Sequence, residues 1–186
     1  MAPVSTLVLG IGNLLWADEG FGVRAVEALH QRFALPASVT AMDGGTQGLL
    51  LLDPVCSASH VLVFDAIDLK LAPGTLQVLR DRDVPAFTDQ TMSLHQASFM
   101  DDLGGSLSDT VLARLDEAVE LGVEELRRWG LDVPARTEPP AEALNAAPLA
   151  RSRYEGERPS AADACRVGDA RFMPAEHVSA AASGAT

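Results

Sequence analysis

Leu7-Val8-Leu9-Gly10-Ile11-Gly12-Asn13-Leu14-Leu15-Trp16-Ala17-Asp18-Glu19-Gly20-Phe21-Gly22-Val23 decides the fold of this 186-residue chain. An apolar run breaks at two glycines, passes Asn13 and reaches the acidic pair Asp18-Glu19 before Gly20 and Gly22. From Gly22 onward, apolar residues at Val23, Val26, Leu29 and Phe33 recur at helical spacing, and Pro36 closes the pattern. The segment reads as strand, tight loop and helix, with Glu19 presented where the helix starts. A carboxylate there, beside freed backbone N–H groups, favours its ionised form. The carboxyl end of a first strand is also where open α/β sheets place their ligands.

Outward from that segment the same pattern repeats. Val39 to Met42 predicts a second strand ending in Asp43-Gly44-Gly45-Thr46. Gly48 to Leu52 begins a short helix that Pro54 is expected to limit. Val61 to Phe64 predicts a third apolar strand ending at Asp65, while the first, Thr6 to Leu9, is a continuous apolar run of the kind buried on both faces. Leu69 to Gly74 reads as a turn, and Thr75 to Leu79 alternates like an edge strand. Residues 81–94 read as loop, and Gln96 to Leu103 as two helical turns. Ser108 or Ser106 can cap a long helix to Trp129, with apolar positions at Val111, Leu115, Val119, Val123 and Leu126 and a stop at Gly130. Strand–helix–strand–helix–strand predicts an α/β fold with parallel strands and right-handed crossovers. If strand one lies between two and three, a crevice opens at the carboxyl ends of strands one and three.

Composition narrows the function classes. A net charge of −12 and a pI near 4.6 argue against nucleic acid and against an anionic membrane surface as partners. No apolar run reaches the length needed to span a bilayer, so no membrane insertion is expected. The amino terminus carries no basic stretch, and Cys56 and Cys165 lie far apart without CxxC spacing. A cytoplasmic protein with two free thiols is the expectation, Cys56 being buried rather than reactive. Beyond Pro134 the composition shifts to Ala, Pro, Arg, Glu and Ser. Residues 1–133 are therefore expected to form the α/β domain and 134–186 a flexible C-terminal tail.

Glu19, Asp65 and His95 are the candidate reactive residues. Two carboxylates and an imidazole suit nickel, zinc, manganese or iron, and three protein ligands leave positions open for water or substrate. The same trio can instead act without its own metal, as acid, base and orienting group. Each has a structural reading too: Glu19 complementing the helix dipole, Asp65 capping a strand end, His95 opening a helix. Asp68 reads as a turn residue, and Trp16 as a substrate contact or a lid over the core. Gly10-Ile11-Gly12-Asn13 invites a dinucleotide reading, but it departs from G-x-G-x-x-G and Asp43 falls too far downstream for a ribose contact. Ser5, Ser57 and Ser93 lack a nucleophile-elbow context.

Five motifs in order resemble the maturation endopeptidases of nickel–iron hydrogenases, the uptake-hydrogenase subgroup among them. They are Gly-Ile-Gly-Asn-x(4)-Asp-Glu-Gly-x-Gly at 10–22, Asp-Gly-Gly-Thr at 43–46, Val-Phe-Asp-Ala-Ile at 63–67, Ala-Pro-Gly-Thr at 72–75 and Ser-x-His-Gln at 93–96. The resemblance implies a three-layer α/β/α sandwich of strand order 2-1-3-5-4, mostly parallel, with the fourth strand antiparallel. It implies removal of a C-terminal extension from the hydrogenase large-subunit precursor after nickel insertion. Glu19, Asp65 and His95 match the family's metal-contacting and catalytic trio, and Asp43, Gly44, Gly45 and Thr46 its substrate-recognition segment. The nickel would come with the precursor, so that binding reports loading. Attack on the scissile carbonyl would come from a carboxylate or a metal-bound water.

One departure stands out. Asp101-Asp102-Leu103-Gly104-Gly105 runs directly into Ser106, where the family carries a further interior strand. Loss of that fifth strand would orphan backbone groups at roughly 1–3 kcal/mol each if they stay buried. Two alternatives to the peptidase therefore stand beside it: a catalytically impaired binder of the nickel-loaded precursor, and a nucleotide-binding α/β domain.

Overall fold

The computed structural model describes residues 5–67, 71–84 and 106–156. Three parallel strands, β1 (Thr6–Ile11), β2 (Val39–Gly45) and β3 (His60–Phe64), form a sheet in the order β2-β1-β3. Helix α1 (Phe21–Arg32) crosses from β1 to β2, and α2 (Leu52–Ser57) lies between β2 and β3. After the residues not described come α3 (Asp109–Leu112), α4 (Leu115–Arg128) and α5 (Arg151–Gly156).

The alternation of side chains along β1 builds two cores. Val8 faces Val26, Leu29, Val119, Val123 and Leu126 of α1 and α4, all fully buried. Leu7 and Leu9 face the opposite way, onto Leu51 with Val55 and Val61 beside them. The central strand β1 is therefore covered on both sides, which is why it reads as a continuous apolar run, whereas Val63 of β3 stays exposed. The expected three-layer α/β arrangement with order 2-1-3 is what forms.

Local details differ from the sequence expectations in four places. Pro54 does not limit the helix; it sits in the first turn of α2, where its missing N–H costs nothing. Thr75–Leu79 pairs with no strand among the described residues. Alternation makes a strand only where a partner edge is available; here Leu76 packs on the core while Arg80 bonds Glu125 of α4. The long helix ending at Trp129 is interrupted at Ala113 and Arg114, whose ψ values of −15° and −9° tighten the chain before α4 begins. Cys56 is exposed rather than buried, because α2 is short and turns Val55, not Cys56, to the sheet.

The chain beyond Pro134 packs for longer than composition suggests. Phe33 bridges Ala135, Ala34 N–H donates to the Pro134 carbonyl, and Arg136 N–H donates to the Arg32 carbonyl. Leu144 then packs on the core, and the compact unit extends to Arg151. The expected division after residue 133 is thus not a division in the packing. Backbone hydrogen bonds hold much of this stretch with little large apolar surface, Leu144 apart, and composition does not register them. The helix expected over Gln96–Leu103, Asp68, Cys165 and the missing strand after Leu103 all lie outside the described residues.

Candidate active site

The ladder register places the candidate residues at one end of the sheet. Gly10 is paired with Asp43 on one side and with Phe64 on the other, so Asp65 begins where β3 ends. The register between β1 and β2 slips after Gly10, bringing Ile11 opposite Gly45 and displacing Gly44. Asp43, Asp65 and the loop after β1 therefore leave the sheet side by side.

The loop itself is folded against its own backbone. A 3-10 turn (Ala17–Gly20) carries Asp18 and Glu19. Asn13 N–H donates to the Glu19 carbonyl at 3.2 Å, and Glu19 N–H donates to the Trp16 carbonyl at 2.9 Å. Gly12 has φ +137°, and any Cβ there would collide with the Glu19 carbonyl. The glycine thus admits the loop's own turn, not a phosphate, which removes the physical basis of the dinucleotide reading.

The first acid of this turn is engaged within the fold. Asp18 points to the start of α3: its Oδ1 accepts from Ser108 N–H at 2.6 Å and its Oδ2 from Ser108 Oγ at 2.9 Å. Ser108 in turn caps α3, its Oγ accepting from Val111 N–H at 3.4 Å. Ser108 was legible as a cap; its partner, ninety residues away, was not.

The Asp-Gly-Gly-Thr box is ordered by the same logic. Asp43 Oδ1 accepts from Gly45 N–H at 2.8 Å, and the Gly45 carbonyl accepts from Gly12 N–H at 3.0 Å, tying the box to the glycine loop. Partial burial pushes the Asp43 carboxyl above the usual carboxylate value; the Gly45 N–H opposes that shift and nearby Glu27 reinforces it. Thr46 is exposed, and so are Leu49, Leu50 and Leu52 just beyond it.

Beneath Asp43 lies a pair that sequence reasoning passed over. Arg24 and Glu27 of α1 are each 4% exposed and joined at 2.7 Å. Arg24 also donates to the Leu149 carbonyl at 2.7 Å, and Glu27 accepts from Arg151 N–H at 3.3 Å. Their i,i+3 spacing was the available signal.

His95 lies outside the described residues. Among the described residues no group of three or more His, Cys, Asp and Glu side chains could hold a metal ion. Glu19 and Asp65 share the sheet end; the third member of the expected set is not placed.

A three-stranded parallel sheet covered by helices, with Asp43 and Asp65 at its carboxyl edge and a glycine loop filled by its own backbone, defines a small α/β domain with a candidate acidic site at that edge. The hydrogenase maturation protease family HycI matches residues 23–104. The hydrogenase expression/formation protein HoxM of Cupriavidus necator is 46% identical over 197 residues, covering 90% of this chain and 98% of its own. The hydrogenase 2 maturation protease of Escherichia coli is 49% identical over 156 residues, covering 70% and 95%. The solved hydrogenase maturating endopeptidase HybD of E. coli superposes with a TM-score of 0.64 at 36% identity, over 72% of this chain and 98% of that one. The chain belongs to the hydrogenase maturation protease family and is a peptidase of that family.

The alignment with the C. necator relative is longer than this chain. Ninety per cent of 186 residues is about 167, so about 30 of the 197 aligned positions have no residue here. Among the described residues, no helix is long and apolar enough to cross a membrane.

Proposed function

We propose that this chain removes the C-terminal extension of the nickel–iron hydrogenase large-subunit precursor once nickel has been inserted. The family assignment supports the reaction class; the observation that carries the site is the shared sheet end of Glu19 and Asp65. In this reading the precursor brings its own nickel, and Glu19, Asp65 and His95 complete its coordination. Carboxylate and imidazole donors suit that borderline ion, and a three-ligand set leaves room for the precursor's own ligands. Recognition then depends on loaded metal, and cleavage follows by aspartyl-type chemistry in which a carboxylate assists attack on the scissile carbonyl.

Asp43, Gly44, Gly45 and Thr46 receive the precursor chain beside that centre. Exposed Leu49 and Leu50, 81% and 75% accessible, favour a protein rather than a small molecule as the object bound here. The reaction is placed in the cytoplasm, in keeping with two cysteines far apart in the sequence.

The test is incubation of the purified chain with nickel-loaded and nickel-free precursor, followed by electrophoresis of the large subunit. Shortening only of the loaded form, lost in Glu19→Gln, is the expected result. Equal shortening of both forms overturns the nickel-dependent reading. The unmatched positions noted above favour one second reading, a binder that no longer cuts. Co-purification with loaded precursor and no shortening would establish it.

A further inference from the structure

We propose that Asp18 is a positioning residue for this peptidase: its clasp on Ser108 holds the turn that presents Glu19. The inference rests on the reading that Glu19 meets the precursor's nickel. Both oxygens of the Asp18 carboxylate are engaged by one residue, Ser108, through a backbone N–H and a hydroxyl. The hydroxyl's one proton goes to Asp18, and the same oxygen accepts from Val111 N–H. Bonds to a charged carboxylate are stronger than neutral ones and fix direction. Asp18 is thereby committed to Ser108.

The turn needs such a hold. Ala17 has φ +40°, a left-handed conformation unfavourable for a residue with a Cβ. Residues in such regions persist only where their surroundings over-determine them. One constraint comes from inside the loop, through Asn13 N–H and Trp16 carbonyl on the Glu19 backbone. The other comes from outside, through Ser108, which precedes α3 and the helix that buries Leu115, Val119 and Val123 in the core. The clasp therefore anchors the turn to the body of the domain. Misplacement of a reacting group by about 1 Å can cost up to a hundredfold in rate.

The experiment measures processing of nickel-loaded precursor by the full-length chain, with kcat and KM separated. Asp18→Ala is expected to lower kcat ten- to a hundredfold and also to raise KM for nickel-loaded precursor, since Glu19 takes part in recognition, while the melting temperature shows a folded protein. Ser108→Ala alone should cost less, because the backbone N–H remains. In the Asp18→Ala background it should add nothing. Multiplicative losses would overturn the clasp, since Asp18 would then act independently of Ser108, and so would wild-type kcat in Asp18→Ala. Should that variant fail to fold, Asp18→Asn, which keeps one acceptor oxygen, is expected to lose kcat severalfold, and wild-type kcat there is equally decisive. Glu19→Gln separates the two layers of argument. Processing by Glu19→Gln at the wild-type rate sinks the assignment of Glu19, whereas a dead Glu19→Gln with an unimpaired Asp18→Ala sinks only the positioning role.

Discussion

Gly10 of β1 and Gly22 of α1 meet backbone to backbone: a Cβ on Gly10 would stand inside the Gly22 carbonyl and against Val26. Gly22 is equally confined, between the carbonyls of Ile11 and Phe64. The motif glycines thus let the first helix drop onto the ends of two strands, which sets where Glu19 and Asp65 leave the sheet.

Gly22→Ala should therefore be severely destabilising. Its new methyl meets backbone carbonyls on both sides, which cannot rotate away as a side chain would. Overpacking of this kind costs about 1–3 kcal/mol or more, and the loss should appear as a lowered denaturant midpoint. Unchanged stability would show that α1 can lift from the sheet at little cost.

The Arg24–Glu27 pair predicts a different signature. Removing one partner, as in Glu27→Ala, takes away the carboxylate that pairs with the buried Arg24 guanidinium, at about 3–5 kcal/mol. Replacing both with Met should recover much of that loss. Because Leu149 and Arg151 bond the same pair, Glu27→Ala should also speed proteolytic cutting between residues 137 and 151. A double variant no better than the single would place the cost elsewhere than in the orphaned charge.

Truncation after Arg136 tests the segment directly. An untethered tail would leave the fold unaffected by the cut. Here the cut removes the Leu149 and Arg151 backbone partners and the Glu142 carbonyl that meets His30, so a lower melting temperature is expected.

Two carboxyls predict opposite responses to pH. Asp43 is raised from its usual 3.8, chiefly by burial, so the stability it contributes is present below that value and fades as pH rises through the folded value. Asp43→Asn, which keeps an acceptor for Gly45 N–H, should gain on the wild type in denaturant midpoint between pH 3 and 7. Glu125 is held below its usual 4.5, first by its hydrogen bond from Arg80 and then by Arg128. Its contribution is present above 4.5 and lost as pH falls through the folded value. Glu125→Gln should be weaker than wild type at neutral pH and converge with it in acid. Parallel curves for either variant would remove that group from the linkage.

Much of the fold was legible because it depends on periodicity and punctuation. Apolar runs of strand length, glycines at a fixed offset and the 3.6-residue recurrence in α1 each report a local constraint, and local constraints are written in order along the chain. The position of Glu19 and Asp65 near one sheet end was legible this way: each follows a strand, and parallel strands end together. Thr75–Leu79 failed because alternation describes one surface of a strand and says nothing of the partner that must pair with it.

What sequence alone determined is the layered α/β plan and the family to which its motifs belong, the order of the three strands following only through that family resemblance. What only the tertiary structure decided are the contacts between distant segments: Asp18 on Ser108, Arg24 under Leu149, and Arg136 along the end of α1. The physical reason is that a hydrogen bond to a backbone group needs a position, not a residue type. Almost any sequence can offer the Leu149 carbonyl or the Ser108 N–H, so nothing in composition or spacing marks them until the chain has folded.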